Sequence, residues 1–447
     1  MSDAACEPGP EPGFAALLAC HPELSLGADG LSFEQVTLAA IADALGTPCW
    51  VYSSGALLSR LAAFTGAIRD AELDGAVHFA MKANANRAVL ATLGRAGCGI
   101  DIVSGGELMA ARAAGIAAGR IVFAGVGKQA DEIRLALAEG ILQFNVESPA
   151  ELAMIAGIAA AMGRRAPVAL RVNPDVDAGT HDKISTGRLG DKFGISAAEI
   201  PALYAHMAAL PAIAPAGLAV HIGSQITGLA GYRAAYARLA ELTRGLEGQG
   251  LSVPRLDCGG GLGIAYRAEP VPSPAEYAAM VRATLGPLRK PLLFEPGRWL
   301  SGPAGVLLAS VILEKQEGAH RFVILDAAMN DLVRPSMYGA WHGIVPLARS
   351  QHAAPLSPAD LVGPVCESSD RFAARRPMPA LAAGDRVAFL DAGAYGSVMS
   401  STYNGRPLAA EAMVKGDAWA VVRARQSYQA VWADERLPGW LDPDLPG

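Results

Sequence analysis

The chain has 447 residues, 51% hydrophobic and 18% charged, enough to bury a large core and to build two or three domains or one barrel with a companion. Its net charge is −6 and it carries no basic run, so a nucleic-acid partner is not expected. No charge-free apolar stretch of about 18 residues occurs, which argues against a membrane span.

The N-terminal MSDAACEPGPEPG lacks the basic start of a signal peptide, and its Pro, Gly and Glu content predicts a frayed lead-in. The six cysteines, Cys6, Cys20, Cys49, Cys98, Cys258 and Cys366, are widely scattered, with no pair at zinc-site spacing. They read as reduced thiols of a cytoplasmic protein, and no metal is expected.

From about residue 77 the chain alternates between short apolar runs and Ala/Leu-rich segments with helical periodicity. The runs are 77–82, 99–104, 121–126, 143–148, 167–174, 215–224, 255–261 and 291–298. Helix candidates between them include 105–115, 129–140 and 231–248, and several end on glycine as C-caps do. Strands alternating with helices imply parallel βαβ units, and eight units match a closed barrel of about 250 residues. An open doubly wound sheet is the alternative.

After residue 305 the texture changes to short β-like runs (VLLASVIL, RFVILDA, RVAFLDAG, AWAVVRAR) without helices of comparable length. The early run Thr47–Tyr52 is expected to pair with them. The predicted architecture is α/β: a (β/α)8 TIM-type barrel over 55–305 and a C-terminal β-sandwich or β-barrel-like domain over 306–447. The segment 1–54 contributes to that β domain.

Such barrels do their chemistry at the C-terminal ends of the strands. There the runs place Lys82, Asp101 with Ser104, Asn173, His221 with Ser224, Gly259–Gly261, and Glu295 with Arg298. Lysine is rarely buried without a partner, and a desolvated, neutral lysine amine can condense with a carbonyl. The plainer reading of Lys82 is the first solvent-facing residue after a strand. Glycines let backbone N–H groups approach a phosphate, and the loops after strands seven and eight of a barrel often hold one. Gly259–Gly261 could equally be a tight turn. His221, between Val220 and Ile222, could be a core histidine. Glu295 could be a surface partner of Arg298, or a carboxylate keeping a ring nitrogen protonated.

The motifs FAMKAN (79–84), DIVSGGEL (101–108), HIGSQI (221–226), GGGLGI (259–264), EPGR (295–298), CESSD (366–370), DAGAY (391–395) and YNGRP (403–407) form a set. Through them the chain resembles the pyridoxal-phosphate-dependent decarboxylases of the alanine-racemase-like barrel fold, most closely the diaminopimelate decarboxylase branch. Two stretches are specific to that branch, RVNPDVDAGTHDKISTG…KFGI (171–195) and DAAMNDLVRPSMYGAWH (326–342). The likeness covers nearly the whole chain. SSD at 368–370 stands where Ser-Gly-Asp is commoner, and 343–360 has no assigned role.

The resemblance implies pyridoxal 5'-phosphate carried on Lys82, with His221 stacked on its ring. Ser224 and Gly259, Gly260 and Gly261 would hold its phosphate, and Glu295 its pyridine nitrogen. Asp101, Gly297, Arg298 and Tyr395 belong to the same cofactor set. Arg298, Arg334 and Tyr338 would grip substrate carboxylate, Glu367 its distal ammonium, and Tyr395 would contribute to both cofactor and substrate binding. Cys366 would be the proton donor, supplied by the second chain of a homodimer. The implied reaction is decarboxylation of meso-2,6-diaminopimelate to L-lysine and CO2, the last step of lysine biosynthesis. A racemase on this scaffold needs a base on each cofactor face and a weaker electron sink, and Glu295 counts against that.

Overall fold

The computed structural model describes residues 11–176 and 192–441. Most of the expected N-terminal lead-in, and most of the 175–194 loop, lie outside the described residues.

Eight parallel strands form the barrel. They are β1 (Gly75–Ala80), β2 (Gly99–Ile102), β3 (Ile121–Phe123), β4 (Gln143–Val146), β5 (Ala166–Asn173), β6 (Ile213–Val220), β7 (Arg255–Asp257) and β8 (Leu292–Phe294). Each pairs with the next, and β8 pairs with β1 in the register Phe294↔Val77, so the sheet closes and the open-sheet alternative falls away. All eight sequence runs fall on these strands. Their residues are almost entirely buried, because helices cover the outside and side chains fill the inside.

The three helix candidates form as Gly105–Ala113, Ala130–Glu139 and Ala230–Gly248. Their ends follow local chemistry. The Ser104 hydroxyl accepts the Glu107 N–H at the start of the first, and Gly140 closes the second in a left-handed conformation. Helix Pro149–Ala161 begins with Ser148 as its cap and proline at its first position. Helix Ser54–Asp70 packs on the barrel through Phe64, whose ring meets Tyr277, Phe294 and Trp299 at centroid distances of 5.9, 6.1 and 5.6 Å.

The second domain is a largely antiparallel sheet. Gly305–Glu317 lies between His320–Leu325 and Cys49–Ser53, and the latter also pairs in parallel with Ala410–Lys415. The fully buried run Cys49–Ser53 is thus a central strand, and the β domain is built from both ends of the chain, as its sequence predicts. Segment 343–360 supplies the strand Ile344–Pro346, paired with Arg386–Phe389, and the start of Ser357–Val362. Ser357–Val362 and Arg371–Met378 are not evident in the sequence, since their prolines and arginines break the apolar pattern. No helix among the described residues is long and apolar enough to cross a membrane, and the five cysteines there are unpaired.

β6 bulges between Pro215 and Gly217, and Gly217 then runs against β7 at a φ of 141°. A Cβ there would overlap the Arg255 carbonyl. Gly217→Ala should therefore destabilise the fold by about 2 kcal/mol or more, read as a lower urea midpoint. Gly119→Ala, which adds a methyl to open space, should leave the midpoint nearly unchanged.

Candidate active site

A cavity of about 700 Å3 opens at the C-terminal ends of the barrel strands and reaches under the β domain. Lys82, Arg171, His221, Ser224, Arg298, Arg334, Tyr338 and Tyr395 line it. A narrow crevice below it is lined by Lys82, Asn145, His221, Asp257 and Glu295.

Lys82 occupies the 3-10 turn Met81–Ala83 directly after β1. Its Nζ stands 3.6 Å from Asp101 Oδ2. Burial lowers the affinity of this amine for its proton, but Asp101, Tyr395 and Glu295 together outweigh that and hold it above its ordinary value. Asp101, at β2, is fully buried, and neither of its carboxylate oxygens accepts a hydrogen bond. Burial is the main cause that pushes it up to about 7, with Lys82 opposing and Asp257 adding to the rise.

Glu295 follows β8, and its N–H donates to the Gly259 carbonyl at 2.7 Å. Burial first, then Asp101 and Asp257, push its carboxyl well above the usual range. Three acids thus converge below Lys82 with too little positive charge around them.

The glycine turn after β7 fills the neighbouring side. A Cβ on Gly259 would overlap the Val220 carbonyl, one on Gly260 the Glu295 carbonyl, and one on Gly261 the Gly223 carbonyl. All three positions therefore require glycine. The Gly260 N–H donates to His221 Nδ1 at 3.1 Å, so this nitrogen is an acceptor. Burial, with Lys82 and Arg171 adding to it, holds His221 well below its ordinary pKa, and the imidazole is neutral. Gly297 lies beneath the lysine turn, where a Cβ would press on Ala80 and Ala83 at 3.1 and 3.0 Å.

Two buried arginines form the opposite wall. Arg298 donates to the Tyr266 hydroxyl at 2.7 Å and to the Ser224 hydroxyl at 3.1 Å, and its guanidinium lies 4.7 Å from the Tyr395 ring centre. Arg334 donates to His342 Nε2 at 2.7 Å and lies 5.0 Å from the Tyr266 ring. His342 in turn contacts the Leu390 carbonyl through Nδ1, and burial keeps it neutral. Among the described residues no carboxylate pairs with either guanidinium, so both offer charge to an anionic ligand.

These positions bring together most of the residues singled out in the sequence. Ser104 and Asn173 instead serve local turns, as a helix cap and through a 3.0 Å bond to the Asp175 N–H. Cys366 and Glu367 are exposed and do not line the cavity; the Cys366 N–H donates to Asn404. Sequence reasoning missed Asn145, Glu147, whose carboxylate accepts from the cavity-lining Arg171 at 2.9 Å, Arg171 itself, Asp257, Tyr266 and His342. The first two carried a signal, because Gln143, Asn145 and Glu147 alternate through β4 and so face one way, into the barrel. Tyr266 and His342 lie on loops that only the fold brings together.

The residues present fit pyridoxal phosphate. Asp101 has a buried carboxylate that accepts no hydrogen bond, burial keeps the acid cluster short of positive charge despite Lys82 and Arg171, so that a protonated ring nitrogen would add to it favourably, and the glycine turn admits no side chain. A lysine in the turn directly after the first strand of a (β/α)8 barrel, facing such a seat, defines the class of pyridoxal-phosphate barrel enzymes. The family model described as "Pyridoxal-dependent decarboxylase, pyridoxal binding domain" matches residues 56–302. The diaminopimelate decarboxylase of Zymomonas mobilis is 47% identical over 92% of this chain and 98% of its own. That of Pseudomonas aeruginosa is 46% identical over 90% and 96%. The crystal structure of Helicobacter pylori diaminopimelate decarboxylase complexed with L-lysine superposes with a TM-score of 0.85 at 36% identity, covering 88% of this chain and 98% of that one. The chain belongs to the diaminopimelate decarboxylase family.

The folded protein keeps a proton on Asp101 up to about pH 7, whereas the unfolded chain releases it near about pH 4. This group therefore makes stability fall as pH rises through that window. In the cofactor-free protein, the loss of urea midpoint between about pH 5 and about pH 8 should be smaller in Asp101→Asn than in the unaltered chain. An equal or larger loss would contradict the assignment.

Proposed function

We propose that this chain decarboxylates meso-2,6-diaminopimelate to L-lysine and CO2, completing lysine biosynthesis, with pyridoxal 5'-phosphate on Lys82. The observation that carries the substrate choice is the pair Arg298 and Arg334. Each is buried and fixed by neutral partners, and each faces a cavity that already contains the lysine. A substrate with a second, distal carboxylate satisfies that charge, whereas ornithine, arginine or lysine does not.

Bound pyridoxal phosphate supplies an electrophilic carbonyl and, with its ring nitrogen protonated, a sink for the electron pair left when CO2 departs. The remaining work falls to side chains. Glu295 would keep that nitrogen protonated. Neutral His221 would stack on the ring. The backbone at Gly261 and the hydroxyl of Ser224 would hold the phosphate, in a turn that Gly259 and Gly260 fix through their own N–H bonds to Asp257 and His221; Arg298 already fixes that hydroxyl. Asp101 and the other acids hold the Lys82 proton in the cofactor-free protein, and a cation beside Glu295 removes part of that hold. Gly297 leaves room for the lysine turn to close down. Arg334 with Tyr338 grips the distal carboxylate, and Tyr395 closes the site against water.

The proton that replaces the lost carboxylate comes, in this reading, from Cys366 of the partner subunit, with Glu367 of the partner subunit holding the distal ammonium. Their exposure outside the cavity supports a site completed across a homodimer. The division 1–54, 55–305 and 306–447 separates the barrel from the two ends that form the β domain. The dispersed cysteines support a cytoplasmic enzyme, acting on a small amino acid without a membrane or nucleic acid.

Lys82→Ala should lose both the bound-cofactor absorbance and turnover. Retained turnover at the normal rate would sink the assignment. Arg334→Ala should lower kcat/KM for diaminopimelate by about 100-fold, about 2.7 kcal/mol of transition-state binding. An unchanged value would remove Arg334 from substrate recognition. Mixing inactive Lys82→Ala and Cys366→Ala chains should restore activity, because hybrid dimers regain one intact site. Failure to complement in hybrids shown to form would place Cys366 outside the partner's site.

A further inference from the structure

The floor of the seat holds a second polar network that the reaction outlined above does not use. Asp257, the last residue of β7, is buried. Its Oδ1 accepts the Gly259 N–H at 3.0 Å, which fixes the first residue of the glycine turn. Its Oδ2 accepts Asn145 Nδ2 at 2.8 Å and Gln143 Nε2 at 3.4 Å. β4 and β7 are not neighbours, so these bonds cross the barrel interior. The same Asn145 Nδ2 reaches Glu295 Oε1 at 3.5 Å, so one amide bridges the Asp257 and Glu295 carboxyls, and both line the crevice beneath the lysine. Two carboxyls can share a hydrogen bond only if one carries a proton.

We propose that Asp257 is a positioning residue that joins the two ends of the cofactor seat, fixing the glycine turn with one oxygen and sharing a single proton with Glu295 through the other. The inference rests on the reading of this cavity as a pyridoxal-phosphate seat. Asp257 receives three N–H donors and Glu295 one long contact, so in the cofactor-free protein the charge sits on Asp257 and the proton on Glu295, which would pass it to a ring nitrogen placed there. Among the described residues, the other charged or titratable groups facing the pair are Asp101 on β2, Lys82 after β1, Arg171 on β5, His221 after β6, Arg255 on β7, Cys258 directly after it and Tyr277 on the helix Pro274–Thr284. A negative charge beside Glu295 raises its affinity for the proton. Asp257→Asn removes that charge while its amide oxygen still accepts the Gly259 N–H. A purely structural role predicts no change in titration for such a replacement.

The test is the dissociation constant of pyridoxal 5'-phosphate from the full chain, measured against pH for the unaltered protein, Asp257→Asn, Glu295→Gln and the double variant. Circular dichroism checks folding in each. The unaltered protein should show a proton-linked step in affinity, and Asp257→Asn should move its midpoint down by about one pH unit or more, a tenfold change in proton affinity. Glu295→Gln should abolish the step, and Asp257→Asn should move nothing further in that background. A midpoint in Asp257→Asn that coincides with the original overturns the proposal. So does a step that survives Glu295→Gln unchanged, which keeps the test decisive even if Asp257→Asn does not fold. Absence of saturable cofactor binding by the unaltered protein would overturn the cofactor seat itself, a separate outcome.

Discussion

Closure of the sheet between β8 and β1 is the constraint on which the site depends. The register Phe294↔Val77 sets Glu295 at one strand end and Lys82 just beyond the next. The intervening units then bring Asp101, His221 and Gly259–Gly261 to the same rim in order. An open sheet would leave β1 and β8 at opposite edges and separate the lysine from the carboxylate. The consequence is electrostatic. Asp101, Asp257 and Glu295 are buried together, and burial is the first cause of the upward shift of each. Such a cluster works against stability in the cofactor-free protein and is tolerated because it prepares a place for a cation.

The barrel alone does not complete the cavity. Arg334 and Tyr395 come from the β domain, whose central strands include Cys49–Ser53 near the other end of the chain. The joint between the domains lies at the lysine motif itself. Tyr395 N–H donates to the Ala83 carbonyl at 2.8 Å, and Asn84 Nδ2 to the Gly393 carbonyl at 2.9 Å. Any shift of the β domain therefore moves the turn that carries Lys82. The asparagine of the motif acts on the chemistry through geometry, without touching a reacting atom.

Much of this was legible in the sequence for physical reasons. Parallel strands buried on both faces read as continuous apolar runs, so all eight were visible, and their ends were where polar residues had to lie. Lys82, His221, Glu295 and the three glycines could be placed on one rim from spacing alone, and the family resemblance added roles to them. The β domain was less legible. Arg371–Met378 carries arginines along a strand, and Ser357–Val362 contains a proline. Tyr266 and His342, which hold the two arginines, lie on loops with no periodic signal. Asp257 was hidden differently: it sits two residues before Gly259 in a quoted run, but its bonds to Asn145 cross the barrel and have no trace in local sequence.

The central claim is that a lysine-borne cofactor and two guanidiniums with no carboxylate partner among the described residues, in one cavity, select a substrate with a distal carboxylate for decarboxylation. Side-by-side turnover of meso-2,6-diaminopimelate, L-lysine, L-ornithine and L-arginine by the cofactor-loaded protein tests it most directly. The account predicts equimolar L-lysine and CO2 from diaminopimelate and little turnover of the other three. Faster CO2 release from ornithine, arginine or lysine, or stereochemical inversion of diaminopimelate without CO2, would contradict it.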